Sequence, residues 1–112
     1  MFLSVTQGDI DAARFQIALD FEIRQERDGR IYTSKEQWRF YLPIHDCPIG
    51  QALRRTFGLT RGAVDATPEW LSIIENRDYK YSTTTRPIRR FMAAWDNHER
   101  AAPRRFRLEA FS

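Results

Sequence analysis

The stretch HDCPIGQALRR, residues 45–55, gathers the side chains best suited to chemistry. It holds the only cysteine, Cys47, one of the two histidines, His45, and a carboxylate, Asp46, between them. A thiol at a helix N-terminus beside an imidazole can serve as a nucleophile, because both neighbours favour the thiolate. Yet nothing in the spacing sets His45 to take the thiol proton. A metal site would have to combine Cys47 and His45 with Asp96 and His98, and no pair among them has zinc-type spacing. The third reading needs no reaction. Asp46 can accept the amides of a helix start, and Pro48 suits a first turn where its missing donor costs nothing. Ile49, Ala52, Leu53 and Phe57 then share one face at helical spacing, and Gly58 stops the helix. The expectation is a packed cysteine at a helix start, with no catalytic residue, no cofactor and no metal.

Other acids, among them Asp9, Asp11, Asp20, Glu22, Asp65, Glu69 and Glu75, are scattered without a spacing that marks a working pair. The five glycines stand singly, so no phosphate-cradling loop is present. Charge is the more informative signal. Residues 86–107 carry seven arginines, Arg86, Arg89, Arg90, Arg100, Arg104, Arg105 and Arg107, against Asp96 and Glu99. That segment holds +5 of a chain whose net charge is +3, leaving −2 elsewhere. Every base in it is Arg, the side chain that forks onto phosphate or carboxylate.

The elements that must position these groups follow from the hydrophobic period. FLSV opens as a strand, and Thr6 with Asp9 has the form of a helix-start signature, giving a turn or two over Gln7 to Arg14. Phe15, Ile17, Leu19, Phe21 and Ile23 then alternate with polar residues, as on a half-buried strand. A helix would put Phe15, Leu19 and Ile23 opposite Ile10, Ile17 and Phe21, with no single apolar stripe. Asp28-Gly29 is a hairpin turn signal. The return strand runs from Ile31 to Leu42, alternates through Trp38, Phe40 and Leu42, and ends at Pro43.

Residues 60–82 admit a helix starting at Thr67-Pro68-Glu69. The β-formers in WLSII, the turn-like ENRD and the alternation in YKY favour two short strands, Trp70 to Ile74 and Tyr79 to Ser82. Thr85 then caps a helix with Pro87 in its first turn and Ile88, Phe91, Met92 and Trp95 as its apolar stripe. After Pro103, Phe106, Leu108 and Ala110 alternate with Arg105, Arg107 and Glu109. The sum is one α+β domain over 1–112, an antiparallel sheet of about five or six strands with two amphipathic helices on one face. Residues 15–44 form an inserted long β-hairpin in this reading.

The chain resembles a family of small, uncharacterised phage and actinobacterial proteins. The resemblance rests on Val5-Thr6-Gln7-Gly8-Asp9-Ile10, on Cys47-Pro48-Ile49-Gly50-Gln51-Ala52-Leu53-Arg54-Arg55, on Phe91-Met92-Ala93-Ala94-Trp95-Asp96 and on Pro103-Arg104-Arg105-Phe106-Arg107-Leu108. It covers the first dozen residues and 46–111, which makes 15–44 the insertion. It implies strands over 70–82, a phage or mobile-element origin, and a packing role for Cys47. It transfers no catalytic residue.

Two partner classes remain. Arg86, Arg89 and Arg90 share a helix flank, and Arg105 and Arg107 share a strand face. If strand and helix lie side by side they form one basic surface for DNA or RNA, with Tyr79 and Tyr81 available for stacking. Alternatively the hairpin presents Tyr32, Arg39 and Tyr41 to a protein, a pairing of residue types typical of interfaces, or pairs with a second copy through its edge. A lone cysteine, an N-terminus unlike a signal peptide and the lack of a span-length apolar run lead to the expectation of a cytoplasmic protein without a membrane anchor. The function expected is that of a non-enzymatic phage-type binding protein. It would modulate or inhibit a host macromolecular complex through protein contacts, an anti-defence role against CRISPR or restriction systems being one form. The alternative is a DNA- or RNA-binding accessory protein.

Overall fold

The computed structural model describes residues 1–33, 43–97 and 99–112. Along the chain run β1 (Phe2–Val5), α1 (Gln7–Asp28), a single helical turn α2 (Pro43–Asp46) and α3 (Pro48–Phe57). A 3-10 turn (Arg61–Ala63), β2 (Val64–Ala66), β3 (Trp70–Glu75), β4 (Asp78–Thr83), α4 (Arg86–Asp96) and β5 (Arg104–Arg107) follow. The α+β class and the antiparallel pairing are as expected. The single sheet is corrected to two: β1 pairs with β5, and β2, β3 and β4 form a second sheet in that order. Among the described residues no helix is long and apolar enough to cross a membrane.

The largest correction concerns residues 15–28, which are helix and not the first strand of a hairpin. A step of two residues turns a helix by about 200° and a step of four by about 400°, so strict alternation also describes a helix with two opposite apolar stripes. That is what α1 is. Ile10, Ala13 and Ile17 are buried against the body, while Phe15 and Ile23 face out on the other side. The helix is started firmly. Thr6 Oγ1 accepts the Asp9 amide at 3.2 Å and Asp9 Oδ2 accepts the Thr6 amide at 2.9 Å, a reciprocal capping box. Ala, Leu, Glu, Gln and Arg fill its second half, all good helix formers. Gly29 is consequently a helix stop and not a hairpin turn. It takes a left-handed φ of 60°, and its N–H donates to the Gln25 carbonyl. Of the return strand predicted over Ile31 to Leu42, Ile31 to Thr33 are not strand, and residues 34–42 lie outside the described residues.

α3 and α4 form where their apolar stripes predict. Ile49, Ala52 and Leu53 of α3 and Ile88, Met92 and Trp95 of α4 are buried in the same core as Leu3, Val5, Leu71, Ile73 and Phe106. The cap of α3 differs from expectation by one residue: Cys47, not Asp46, is the cap, and its Sγ accepts the Gly50 amide at 3.4 Å. Gly50 itself is forced by close packing. A Cβ there would stand 2.6 Å from the His45 carbonyl oxygen. An exposed helical glycine changed to alanine gains about 1 kcal/mol. Gly50→Ala should instead lose about 1–3 kcal/mol, because backbone cannot step aside cheaply; urea unfolding of the variant reads the sign directly.

The β3–β4 hairpin is as read from the sequence. Its turn residues Asn76 and Arg77 have φ of 53° and 68°, the double left-handed conformation whose twist suits a two-residue hairpin loop. The two sheets are joined by the chain end. The Leu108 amide donates to the Met1 carbonyl at 2.9 Å, extending the β1–β5 ladder. Within four residues Ser112 exchanges both backbone bonds with Tyr81 of β4, at 2.9 and 3.0 Å. Alternation slips on the way. Ala110 is exposed, and Phe111 instead turns inward to meet Phe57 of α3 edge-on, ring centroids 5.4 Å apart.

Candidate binding surfaces

The side chains of 45–47 are spent on structure. Cys47 is fully buried and burial pushes its thiol up to about 11, so at neutral pH it is almost wholly protonated and caps α3. A thiol reagent at pH 8 should modify it only at the rate of unfolding, and added denaturant should accelerate labelling steeply. Fast labelling of the folded protein would contradict this burial. His45 Nδ1 lies 2.8 Å from the Val64 carbonyl oxygen and 3.1 Å from Asp65 Oδ1, tying α2 to β2. Among the described residues no three His, Cys, Asp or Glu side chains converge as a metal site.

Two buried carboxylates organise the surrounding arginines, and the sequence signalled neither pairing. Asp46 is only 1% exposed and receives Arg61 through Nε at 2.8 Å and Nη2 at 2.5 Å, with Arg54 Nη1 at 3.7 Å. Asp9, beyond its capping role, is clasped by Arg55 through Nε at 3.1 Å and Nη2 at 3.0 Å. Arg55 also donates to the Ser4 carbonyl at 2.6 Å, so one guanidinium links β1, α1 and α3. Both carboxylates hold their arginines' pKa above the ordinary guanidinium value, chiefly through these hydrogen bonds.

The three-stranded sheet has one face in the core and one in solvent. Leu71 and Ile73 point inward and are buried. The register places Trp70 opposite Thr83, Ser72 opposite Tyr81 and Ile74 opposite Tyr79. Trp70, Tyr79 and Tyr81 therefore share the outer face, 47%, 65% and 47% exposed. Tyr79 and Tyr81 were legible from the alternation in YKY. Trp70 was not joined to them, because only the pairing register puts it on their face.

The five predicted arginines fall into two groups. Arg86, Arg89 and Arg90 are exposed on α4 and, with Ala93, border one shallow concavity. Phe106 of β5 meets Phe91 of α4 edge-on at 5.4 Å. Side chains alternate along a strand, so Arg105 and Arg107 project from the face of β5 turned away from α4. The continuous surface that side-by-side presentation would create is thus divided. Arg105 lies over the Phe2 ring, 4.0 Å from its centroid, and Phe2 is half exposed beside it.

Tyr32 is not displayed on a hairpin. It folds back on the end of α1: its N–H donates to Gln25 Oε1 at 3.0 Å, its hydroxyl donates to Asp28, and the Arg30 guanidinium sits 4.7 Å over its ring. The hydrogen bond to Asp28 raises the tyrosine pKa, and the aspartate's is lowered by its hydrogen bonds from Arg27, first, and from Tyr32. Arg39 and Tyr41, predicted partner residues, and His98, a predicted metal ligand, lie outside the described residues. No protein-family model, curated protein or solved structure gives a significant match to the chain.

Proposed function

We propose that this chain is a non-enzymatic binding protein that engages a protein partner through the outer face of the β2–β3–β4 sheet. One observation carries the reading: Trp70, Tyr79 and Tyr81 stand exposed together on one sheet face. Soluble domains usually turn such large aromatic area inward, and Trp and Tyr are the residues that dominate binding energy at protein interfaces. Thr83, exposed opposite Trp70, adds a polar contact at its edge. The surface is rigid, since it stands on paired strands over a packed core, so little ordering entropy opposes docking. Tyr32, bonded back to Gln25 and Asp28 at the end of α1, is not part of this surface. The resemblance to phage proteins directs the proposal to a host complex as the partner, with inhibition of a defence system as one outcome of binding.

The test uses affinity purification from host cells, comparing the native chain with Trp70→Ala/Tyr79→Ala/Tyr81→Ala. The substituted positions face solvent, so the melting temperature should move by only a few degrees. A complex recovered with the native chain and lost with the triple variant is the expected result; each central aromatic should contribute about 2 kcal/mol, or roughly thirty-fold in affinity. Equal recovery of all partners by a folded triple variant would overturn the reading.

A further inference from the structure

The arginines of this protein divide by position. Arg27, Arg54, Arg55 and Arg61 each hold an aspartate, and the described residues show no acidic partner for Arg86, Arg89 and Arg90. We infer that these three arginines of α4 form a contact surface for the phosphate backbone of a nucleic acid, separate from the aromatic sheet face.

The triplet occupies positions one, four and five of an eleven-residue helix. Residues three and four apart on a helix are neighbours, so the three guanidinium groups crowd one exposed turn. The concavity they border with Ala93 puts them around a common space. Like charges this close repel, and they stand at the helix end where the backbone dipole is also positive. The first turn of α4 contains no acid, and its cap residue Thr85 makes no capping bond. The Thr85 hydroxyl is buried and, among the described residues, has no hydrogen-bond partner. An anion with several acceptor oxygens offsets the crowded guanidinium charges and the helix dipole together, and Arg is the side chain whose fork matches phosphate. A polyanion is favoured over a single small anion because the three side chains are exposed and the concavity is shallow. Such a surface gains most when several phosphates displace counterions together. Arg105 and Arg107, on the far face of β5, supply an internal comparison.

The experiment is a fluorescence-anisotropy titration of the full chain against a labelled single-stranded oligonucleotide and its duplex at two salt concentrations. Three phosphate contacts predict that affinity for the single strand falls about 15- to 20-fold between about 50 and about 200 mM salt, and somewhat more for the duplex. Arg86→Gln/Arg89→Gln/Arg90→Gln should abolish binding and the salt dependence, while Arg86→Lys/Arg89→Lys/Arg90→Lys keeps most of the slope. Arg105→Gln/Arg107→Gln should bind as the native chain does. Absence of binding to both probes at the lower salt would overturn the inference. So would native-like affinity of the glutamine triplet, or a loss shared equally by the β5 variant. Circular dichroism of each variant confirms an intact fold, which exposed helix positions changed to good helix formers should preserve.

Discussion

Arg61→Ala should destabilise the fold by about 3 kcal/mol at neutral pH, and Asp46→Asn added to it should recover at least half of the loss. The reason is the asymmetry of the pair. Asp46 is 1% exposed, whereas the Arg61 side chain is about half exposed. Removing the arginine leaves a buried carboxylate with, among the described residues, only Arg54, at 3.7 Å, to compensate it. Stranding a buried charge costs about 3–5 kcal/mol, far more than the worth of an exposed ion pair, which is about 0–1. Neutralising the stranded group removes most of that penalty, so the double variant should be more stable than Arg61→Ala alone. Urea unfolding of the native chain, both single variants and the double variant completes the cycle. A loss below about 1 kcal/mol for Arg61→Ala would show the pair behaving as a surface contact.

Leu53→Ala should cost about 2–5 kcal/mol. Leu53 is fully buried on the face of α3 that carries Ile49 and Ala52. α3 packs against α1, β1 and β2, so its apolar face is common to both sheets. Truncation there leaves a cavity that neither rigid sheet can collapse to fill, which puts the expected value in the upper half of the range. In a domain this small such a loss approaches the whole stability, so the variant should melt far below the native chain or fail to fold. Leu59, only half-buried at the edge of the same core, provides the contrast: Leu59→Ala should cost markedly less. Equal losses at the two positions would contradict the assignment of Leu53 to the centre.

These results bear on what patterning alone can settle. α4 was legible because Ile88, Met92 and Trp95 make one stripe, and a single stripe has one structural interpretation. The β3–β4 hairpin was legible because its turn and its alternation agree. α1 was not, because Phe15, Leu19 and Ile23 on one side and Ile10 and Ile17 on the other satisfy helix and strand alike. Local capping and helix-forming composition decided it. Asp28-Gly29 then misled for a related reason: a left-handed glycine ends helices as readily as it turns hairpins.

The candidate surfaces show the same division. The sequence by itself determined that the C-terminal third is rich in arginine, that Tyr79 and Tyr81 share a strand face, and that Cys47 begins a helix, since each depends on residues close in the chain. Only the tertiary structure decided that Trp70 joins the two tyrosines, that Asp46 and Asp9 pair with Arg61 and Arg55, and that Phe106 turns Arg105 and Arg107 away from α4. Those outcomes depend on strand register and on contacts across 15 to 46 residues of chain. Local periodicity determines which face of an element is apolar, but not which other element that face will meet.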